Sequence, residues 1–319
     1  MVTVPPQRIV FFGTPAFAVP SLEALIGSPH EVVALVSQPD RPKGRGQQLQ
    51  PTPTKQIALE RGIAVLQPAK IRDEPFLQQL RDLRPDLGVV VAFGRILPDA
   101  LLAIPRLGMI NVHASILPRY RGAAPIQRAV IAGDAETGVT IMRVETELDA
   151  GPTFSTAAVP IPPDATSGDM EPILARLGAA LLVPVVADLA AGRAAPVPQD
   201  HARATFAPKI TKEEGRLDWS ERAPAIHNRV RGLQPWPLAS AHLDGARVVL
   251  RRTNPDTEAG LQGASEPGRI VRATGDDLLV ACGGGSILRI LEIQPEGRRT
   301  MTAREFIAGR AVRQGARFT

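Results

Sequence analysis

The first 160 residues alternate short apolar runs with helix-like segments, and this alternation restricts the possible folds more than any other feature of the chain. Several runs are apolar throughout, as in Gly88–Ala92, which is typical of strands covered on both faces. The alternation predicts an open, mostly parallel α/β sheet whose ligands bind at the carboxyl ends of its strands. The predicted strands are Arg8–Phe12, Val32–Ser37, Ile63–Leu66, Leu87–Ala92, Met109–His113, Gly138–Val144 and Thr153–Pro160, and the predicted helices between and after them are Ser21–Gly27, Thr52–Arg61, Glu74–Leu83, Ala124–Gly133 and Gly168–Ala191.

The composition changes after residue 190, and the sequence beyond it predicts a second, smaller domain. Residues 191–208 are rich in Ala, Pro and Gly, which is typical of an interdomain linker. Residues 209–319 contain a predicted helix and four strand candidates separated by glycine-rich turns, which favours a small antiparallel barrel. We therefore predict one domain over 1–190, a linker over 191–208 and a second domain over 209–319. The helix is Ser220–Leu233, and the strands are Val248–Arg252, Arg269–Ala273, Leu278–Ala281 and Ile287–Ile293.

The excess of basic residues lies in the C-terminal third. The chain carries 37 Lys+Arg and 32 Asp+Glu, a net charge of +5. Residues 209–319 hold 18 of the basic and 13 of the acidic residues, which leaves 19 of each in residues 1–208. Positive charge confined to one domain indicates contact with a polyanion such as RNA or DNA.

Composition also bears on compartment and metal content. No apolar run approaches the roughly 18 residues of a transmembrane helix, and the N-terminus has no signal-peptide pattern. The single cysteine, Cys282, excludes an internal disulfide and a multi-cysteine metal site. We expect a cytoplasmic monomer. We also expect no metal site, because the five histidines lack the spacing of metal ligands; they are His30, His113, His201, His227 and His242.

Two polar residues end the apolar run 109–113. Asn111 and His113 are two positions apart, so on an extended strand their side chains point to the same face. The first offers an amide donor, and the second exchanges a proton near neutral pH. Of three acidic residues after the next strand, Asp149 stands in a turn-forming sequence with Gly151 and is favoured. Asn111, His113 or Asp149 taken singly could be a packed structural residue. Together the three predict acyl transfer without a metal or a covalent nucleophile.

The connection after the second strand is long and basic. It contains Arg41, Lys43 and Arg45, spaced by Pro and Gly, where such connections usually have two to six residues. A solvated surface loop would explain this composition. A flexible basic loop that binds phosphate groups at the same sheet edge is the functional interpretation.

The turn after the first strand excludes a common class of cofactor. Phe12-Gly13-Thr14-Pro15 contains a glycine but not the G-x-G-x-x-G sequence, and Pro15 lacks a backbone donor. Binding of NAD or FAD is therefore not expected.

Together these residues resemble the formyltransferase family that uses 10-formyltetrahydrofolate. The motif Asn-x-His-x-Ser-x-Leu-Pro-x-x-Arg-Gly begins at Asn111, and Leu148-Asp149-x-Gly151 continues it. Ala114 and Ile116 depart from the residues usual in the family at these positions. Both changes are conservative, and we expect them to affect only the shape of the loop after His113, which binds folate in the family. The chain is similar along nearly its whole length to the branch that acts on methionyl-tRNA, through Phe12–Pro15, Gln38–Gly46, Gly122–Gln127, Gly133–Met142, Leu217–Trp219 and Pro235–Pro237.

The resemblance implies a Rossmann-like catalytic domain, a C-terminal domain of the oligonucleotide-binding (OB) type, and formyl transfer from 10-formyltetrahydrofolate to the α-amine of initiator methionyl-tRNA. It implies that Asn111, His113 and Asp149 are catalytic. The expected folate-binding residues are Ser115, Ile116, Leu117, Pro118, Arg95, Ile96 and Leu97. Those expected to contact the acceptor end of the tRNA are Arg41, Lys43 and Arg45, with Phe17 against the methionyl side chain.

Three other functions remain open from the residues alone. A formyltransferase acting on a small amine, such as a purine ribonucleotide or an amino-sugar nucleotide, would carry the same motif. A hydrolase of the same folate would use water in place of the amine. A non-catalytic RNA-binding protein would keep the α/β domain only as a scaffold. The basic loop and the basic C-terminal domain favour the tRNA substrate over the small amines.

Overall fold

The computed structural model describes residues 6–43, 48–256, 266–310 and 312–319, and the chain divides into two compact units. Unit 1 consists of Met1–Pro125, Glu136–Pro160 and Glu171–Pro208. Unit 2 consists of Ile126–Ala135, Ile161–Met170 and Lys209–Thr319. Two short segments of the region expected to form the first domain therefore belong to unit 2.

The first 208 residues form eleven strands and six helices within the described ranges. In chain order they are β1 (Arg8–Gly13), α1 (Val19–Ile26), β2 (Glu31–Val36), β3 (Arg41–Lys43), β4 (Gln48–Gln50), α2 (Pro53–Glu60), β5 (Ala64–Leu66), α3 (Glu74–Asp82), β6 (Leu87–Val91), α4 (Asp99–Leu102), β7 (Met109–His113), β8 (Arg121–Gly122), α5 (Pro125–Ala132), β9 (Glu136–Arg143), β10 (Thr153–Pro160), α6 (Ser167–Ala190) and β11 (Phe206–Ala207).

A seven-stranded sheet in the order β10-β9-β7-β6-β1-β2-β5 forms the centre of unit 1. From β5 to β7 every neighbouring pair is parallel, whereas β9 is antiparallel to both β7 and β10. The apolar sequences explain this arrangement, since a strand such as β6 is buried along its whole length. The predicted mostly parallel, Rossmann-like sheet is confirmed. Its topology places the segments that follow β1, β2, β6 and β7 at one edge.

Helix α6 packs against this sheet along one side. Its buried positions recur every three or four residues, which is the pattern of an amphipathic core helix. Gly178 allows a close approach, because a Cβ there would lie 2.6 Å from Val112 Cγ1 of β7. By length and composition alone α6 could also span a membrane, contrary to the expectation that no segment approaches a transmembrane helix. Its one-sided burial is that of a helix covering a sheet.

The segment 191–208, expected to be an interdomain linker, is instead part of unit 1. Val197 exchanges two backbone hydrogen bonds of 2.8 Å with Thr153, and β11 pairs in parallel with β8. Gln199 is 7% exposed. A composition rich in Ala, Pro and Gly predicts an irregular backbone, but it does not decide whether that backbone packs against a domain.

Unit 2 contains an antiparallel sheet in the order β12-β13-β16-β15-β14, with β17 paired to β16. Four of these strands overlap the predicted ones; β12, β17 and α8 were not predicted. The elements in chain order are α7 (Ala223–Gly232), β12 (Ala239–Leu243), β13 (Ala246–Asp256), β14 (Ile270–Thr274), β15 (Asp277–Ala281), β16 (Ile287–Pro295), β17 (Met301–Thr302) and α8 (Ala303–Arg310).

The C-terminal residues close this sheet into a barrel. Phe318 bridges Leu243 at the end of β12, and Arg317 bridges Arg269 just before β14. Backbone hydrogen bonds of 2.7 and 2.9 Å join Thr319 to His242. The two edge strands are therefore both covered, and the core inside holds the buried side chains of Phe306 and Phe318.

Candidate active site

Asn111 and His113 lie on the same face of β7, next to the edge where the parallel strands end. Asn111 is paired with Val90 of β6 and Met142 of β9, and it is partly exposed. His113 is only 5% exposed. Within the described ranges no protein group is hydrogen-bonded to the Asn111 carboxamide. Its amide is therefore available to a ligand at this edge.

The His113 imidazole is hydrogen-bonded at one nitrogen and faces a carboxylate with the other. Nε2 lies 2.9 Å from the backbone oxygen of Tyr120. A carbonyl oxygen only accepts, so Nε2 carries a proton and donates it to this bond. Nδ1 faces Oδ2 of Asp149 at 3.6 Å, which is longer than a hydrogen bond. The ring is thus fixed in orientation, with Nδ1 turned toward a carboxylate.

Asp149 occupies a tight turn that brings its carboxylate to His113. Its φ of 50° lies in the left-handed region, which is unusual for a residue with a side chain. The backbone N–H of Gly122 donates to Oδ2 over 2.9 Å. Gly151 follows at a point where a Cβ would overlap the backbone oxygen of Arg143. The Leu-Asp-Ala-Gly sequence is therefore a shaped turn, as predicted, and Asp149 is 13% exposed.

Comparison with known proteins decides the family. A model of the formyl transferase family matches residues 7–186, and a model of the formyl transferase C-terminal domain matches residues 209–311. The chain belongs to the formyltransferase family.

Relatives that align with this chain over most of their length share one name. A methionyl-tRNA formyltransferase of Methylococcus capsulatus (strain ATCC 33009 / NCIMB 11132 / Bath) is 48% identical over 306 residues, which are 96% of this chain and 98% of that protein. A methionyl-tRNA formyltransferase of Pseudomonas fluorescens (strain SBW25) is 52% identical over 279 residues, covering 87% and 86% of the two chains.

Solved structures share the fold at lower identity. A crystal structure of WlaRD, a sugar 3N-formyl transferase in the presence of dTDP and 5-N-formyl-THF, matches 92% of this chain and 99% of its own. The TM-score is 0.68 and the sequence identity 15%. At this identity the likeness supports the formyltransferase fold alone.

The loop after β7, expected to bind folate, is held by its own side chains. Ser115 is fully buried, and its hydroxyl donates to the backbone oxygen of Arg119 over 2.6 Å. Thr140 Oγ1 donates to the backbone oxygen of Ser115 over 2.8 Å and accepts a hydrogen bond from the Leu117 N–H over 3.2 Å. Ile116 and Pro118 are partly exposed. In this structure Ser115 therefore braces the loop, and its neighbours offer the surface.

The loop after β6 contains the other three expected folate residues at the same edge. Ile96 is 71% exposed, whereas Leu97 is buried. Arg95 is directed into the protein, because its Nε donates to Gln38 Oε1 and its Nη1 to the backbone oxygens of Pro68 and Ala69. Arg95 thus fixes the loop, and the apolar side chain of Ile96 is the one presented to solvent.

The basic segment forms part of a hairpin, β3–β4, in which Arg41 pairs with Gln50. Arg41 is exposed and Lys43 ends β3, while Arg45 lies outside the described residues. Asp40 fixes the entry to the hairpin, with Lys55 Nζ 2.6 Å from its Oδ2. The hydrogen bond from Lys55 holds the pKa of the Asp40 carboxyl below its ordinary value.

Phe17, expected against the methionyl side chain, follows β1 at this edge in a short 3₁₀ turn, Ala16–Ala18. It is 7% exposed, so its ring is mostly packed inside unit 1. A contact with a substrate would involve only the small remaining surface of the ring, and the role stays a prediction.

One other surface feature of unit 1 bears on ligands. An open surface depression of about 520 Å³ is lined by Asp99, Glu145 and Glu147 among others, and its lining does not include Asn111 or His113. Three carboxylates would repel an anionic substrate, so we do not assign this depression to the reaction.

Among the residues that the structure describes, no three His, Cys, Asp or Glu side chains form a group able to hold a metal.

Sequence reasoning missed two buried polar residues beside Asp149. Arg121 is a position of the family motif for which the sequence indicates no role, yet it is 2% exposed. Gln199 lies in the segment interpreted as a linker, and its amide donates to the backbone oxygens of Asp149 and Gly151. A lone glutamine in a proline-rich stretch carries no recognisable pattern, so only the structure connects it to the site.

Proposed function

We propose that this formyltransferase moves the formyl group of 10-formyltetrahydrofolate to the α-amine of methionine esterified to initiator tRNA. The observation that carries the proposal is the free carboxamide of Asn111, on the same strand face as His113, whose ring is turned toward Asp149. The names of relatives that are 46–52% identical support the substrate. The reaction would take place in the cytoplasm, on a monomeric enzyme.

Asn111 would stabilise the charge that develops during transfer. When the neutral amine adds to the formyl carbon, electrons move onto the formyl oxygen, which becomes negative. An amide N–H₂ that has no partner among the described residues can donate to this oxygen without first breaking a hydrogen bond to one of them. One such donor is typically worth about 10²–10³-fold in kcat.

His113, assisted by Asp149, would accept the proton that the attacking amine loses and transfer it. Nε2 is engaged by the Tyr120 oxygen, so Nδ1 is the nitrogen available to hold or pass a proton. Asp149 faces that nitrogen and would stabilise the charged imidazolium. General acid–base help of this kind contributes about 10²–10⁴-fold. The leaving folate nitrogen would receive the proton when the bond to the formyl carbon breaks.

The residues at the sheet edge fit a folate co-substrate. An exposed apolar side chain, Ile96, and partly exposed Ile116 and Pro118 offer surface for a flat ring system. Arg95 and Ser115 would act indirectly, by holding the two loops in place through the hydrogen bonds described above. The folate brings the formyl group, and the protein supplies its position and the proton relay.

The tRNA would contact cations beyond the site of transfer. Arg41, with Lys43 and Arg45, would engage the acceptor end, and basic residues of 209–319 would follow the RNA backbone. We expect affinity for methionyl-tRNA to fall steeply with salt, because each neutralised phosphate releases counterions. Affinity for folate should change little. Equal salt dependence for both ligands would contradict this two-part contact.

A panel of formyl acceptors tests the proposal. The purified enzyme is incubated with 10-formyltetrahydrofolate and either methionyl-tRNA, free methionine, an amino-sugar nucleotide or no acceptor. We expect N-formylmethionyl-tRNA and tetrahydrofolate in equal amounts, with at least about 100-fold lower rates in the other three reactions. Formylation of the sugar, or release of formate at a comparable rate without an acceptor, would overturn the proposal.

A further inference from the structure

Gln199 and Arg121 form a buried polar pair beside the turn that contains Asp149. The Gln199 amide nitrogen donates to the backbone oxygens of Asp149 and Gly151, at 2.9 and 2.7 Å. Its oxygen accepts from Nε and Nη2 of Arg121, at 3.1 and 2.8 Å. Both side chains are at least nine-tenths buried. One carboxamide thus bridges a guanidinium to the two backbone oxygens that flank Ala150.

The orientation of this carboxamide is fixed by chemistry. Arginine only donates and backbone oxygens only accept, so the Gln199 oxygen must face Arg121 and its nitrogen must face the turn. The reverse orientation would set donors against donors and acceptors against acceptors. Arg121 Nη2 also lies 3.3 Å from Nδ1 of His201, which keeps the guanidinium in place.

The turn itself is held by hydrogen bonds from outside it. Asp149 has a φ of 50°, a left-handed conformation that costs free energy in a residue with a side chain, although aspartate adopts it more readily than most. Two hydrogen bonds from Gln199 hold the backbone on either side of this strained position. Without them the Asp149 carboxylate can leave the place where its Oδ2 faces His113 Nδ1.

The other contact to Asp149 comes from the residue after Arg121. Gly122 donates its N–H to the Asp149 carboxylate, and its φ of 128° is one that favours glycine. A Cβ on Gly122 would lie 2.6 Å from the backbone oxygen of Ala207. The segment 197–207 therefore acts twice, through Gln199 on the turn and through β11 on the strand that carries Arg121 and Gly122.

We propose that Gln199 is a positioning residue of the formyl-transfer site, which acts by holding Asp149 against His113, and that Arg121 orients it. This inference rests on the proposed catalytic role of Asp149. Gln199 does not touch the substrates in this scheme, so its loss should lower kcat and leave the KM for folate unchanged.

The first test compares Gln199→Ala with Gln78→Ala. Gln78 is an exposed glutamine on α3 that donates to Asp82, far along the chain from the site residues. We expect Gln199→Ala to lower kcat by about 10- to 100-fold, the scale of a small misplacement of a catalytic group. The KM for folate should stay within 2-fold, and Gln78→Ala should match the wild type. A kcat within 2-fold of the wild type for Gln199→Ala would overturn the inference.

A double-mutant cycle then tests whether Gln199 acts through Asp149. Rates are measured in single turnovers with excess enzyme for Asp149→Ala, Gln199→Ala and the double variant. We expect Gln199→Ala to cost less than about 2-fold once Asp149 is absent, because coupled residues are not additive. Equal factors in both backgrounds would reject the inference and leave the proposed function intact. Full activity of Asp149→Ala would instead remove Asp149 from the proposed mechanism, and this inference with it.

Gln199→Glu separates the contact with Arg121 from the two hydrogen bonds to the turn. A glutamate keeps the contact with Arg121, but its second oxygen then faces the Asp149 and Gly151 oxygens, so rates are compared below the unfolding temperature of the variant. It has no amide donors for the Asp149 and Gly151 oxygens, so kcat should fall at least as far as in Gln199→Ala. Recovery of wild-type kcat by this variant would show that only the Arg121 contact matters, and it would overturn the assignment to the turn.

Discussion

The two units of this formyltransferase use polar residues in different ways. In unit 1 the polar side chains near Asn111 are few, buried and held by named partners, such as His113 between the Tyr120 oxygen and Asp149. In unit 2 the polar residues are many, and most of them lie on the surface of a closed barrel. The proposed function would account for this difference, since a reacting formyl group needs fixed atoms whereas an RNA backbone needs only distributed charge.

The net charge of unit 2 overstates the positive charge available to a ligand, because many of its arginines form ion pairs. Many of its arginines already have a carboxylate partner, which cancels much of their field; they are Arg128, Arg229, Arg252, Arg272, Arg289, Arg299, Arg304 and Arg317. Other cations are exposed and have no such partner among the described residues; they include Lys209, Lys212, Arg216, Arg222, Arg298 and Arg313. These free cations, and not the net charge, are the candidates for RNA contact.

The largest effect is expected at Asn111. Asn111→Ala should lower kcat by about 10²–10³-fold, because the developing oxyanion loses its donor. Asn254→Ala is the matched control, since Asn254 is an exposed asparagine of β13 in unit 2. Rates are measured at saturating folate and methionyl-tRNA. Equal rates for the two variants would remove the contrast between the units.

The second expected effect concerns Cys282, in the core of unit 2. Burial raises the pKa of its thiol to about 12, from an ordinary value of 9.0. The thiolate is the reactive form, so at pH 8 the folded protein should react with a thiol reagent at least about 100-fold more slowly than the unfolded chain. The release of a chromogenic thiol reports the rate. Fast labelling of the folded enzyme would show that the barrel opens readily.

The third expected effect separates free from paired cations. Changing Lys209, Lys212 and Arg216 together to alanine should raise the KM for methionyl-tRNA by about 10-fold at low salt, and reduce its salt dependence. kcat at saturating tRNA should be unchanged. The double variant Arg299→Ala and Arg304→Ala removes cations that are paired with carboxylates, and its KM should change by less than about 2-fold. If the two sets behave alike, net charge alone governs binding.

The smallest expected effect is on the acid stability of unit 2. The hydrogen bond from Arg128 lowers the pKa of Glu214 below its ordinary 4.5, so the folded state favours the ionised form. This stabilisation is present above the unfolded pKa and is lost as the pH falls through the folded value. Glu214→Gln should therefore lose about 0.5–1 kcal/mol less stability than the wild type on acidification. Urea unfolding between pH 7 and pH 3 measures the difference, and parallel curves would contradict it.

The sequence predicted the larger elements well, because long periodic segments carry strong signals. All seven strands of the main sheet and α2, α3, α5 and α6 lie within a few residues of their predicted bounds. The short strands β8 and β11 were missed, since two residues have no period. β12 and α8 were missed too: β12, Ala-Ser-Ala-His-Leu, has little β-branched character, and α8 carries a glycine near its end.

The candidate site was predictable only where residues are adjacent or form a motif. The spacing of Asn111 and His113 and the Leu148–Gly151 turn were visible in the sequence. Their support from Gln199 was not, because it depends on a contact between residues 48 and 50 positions apart. The directions of Arg95 and Ser115 were also hidden, since hydrogen bonds within the protein decide whether a polar side chain faces a ligand.

The closure of the barrel by Arg317, Phe318 and Thr319 has a consequence for synthesis on the ribosome. The partners of these residues, near β12 and β14, emerge from the exit tunnel earlier and must wait for them. Unit 2 can therefore seal its barrel only after residues 317–319 have left the tunnel. The main sheet of unit 1 is complete at residue 160, so it can form while residues 209–319 are still being made.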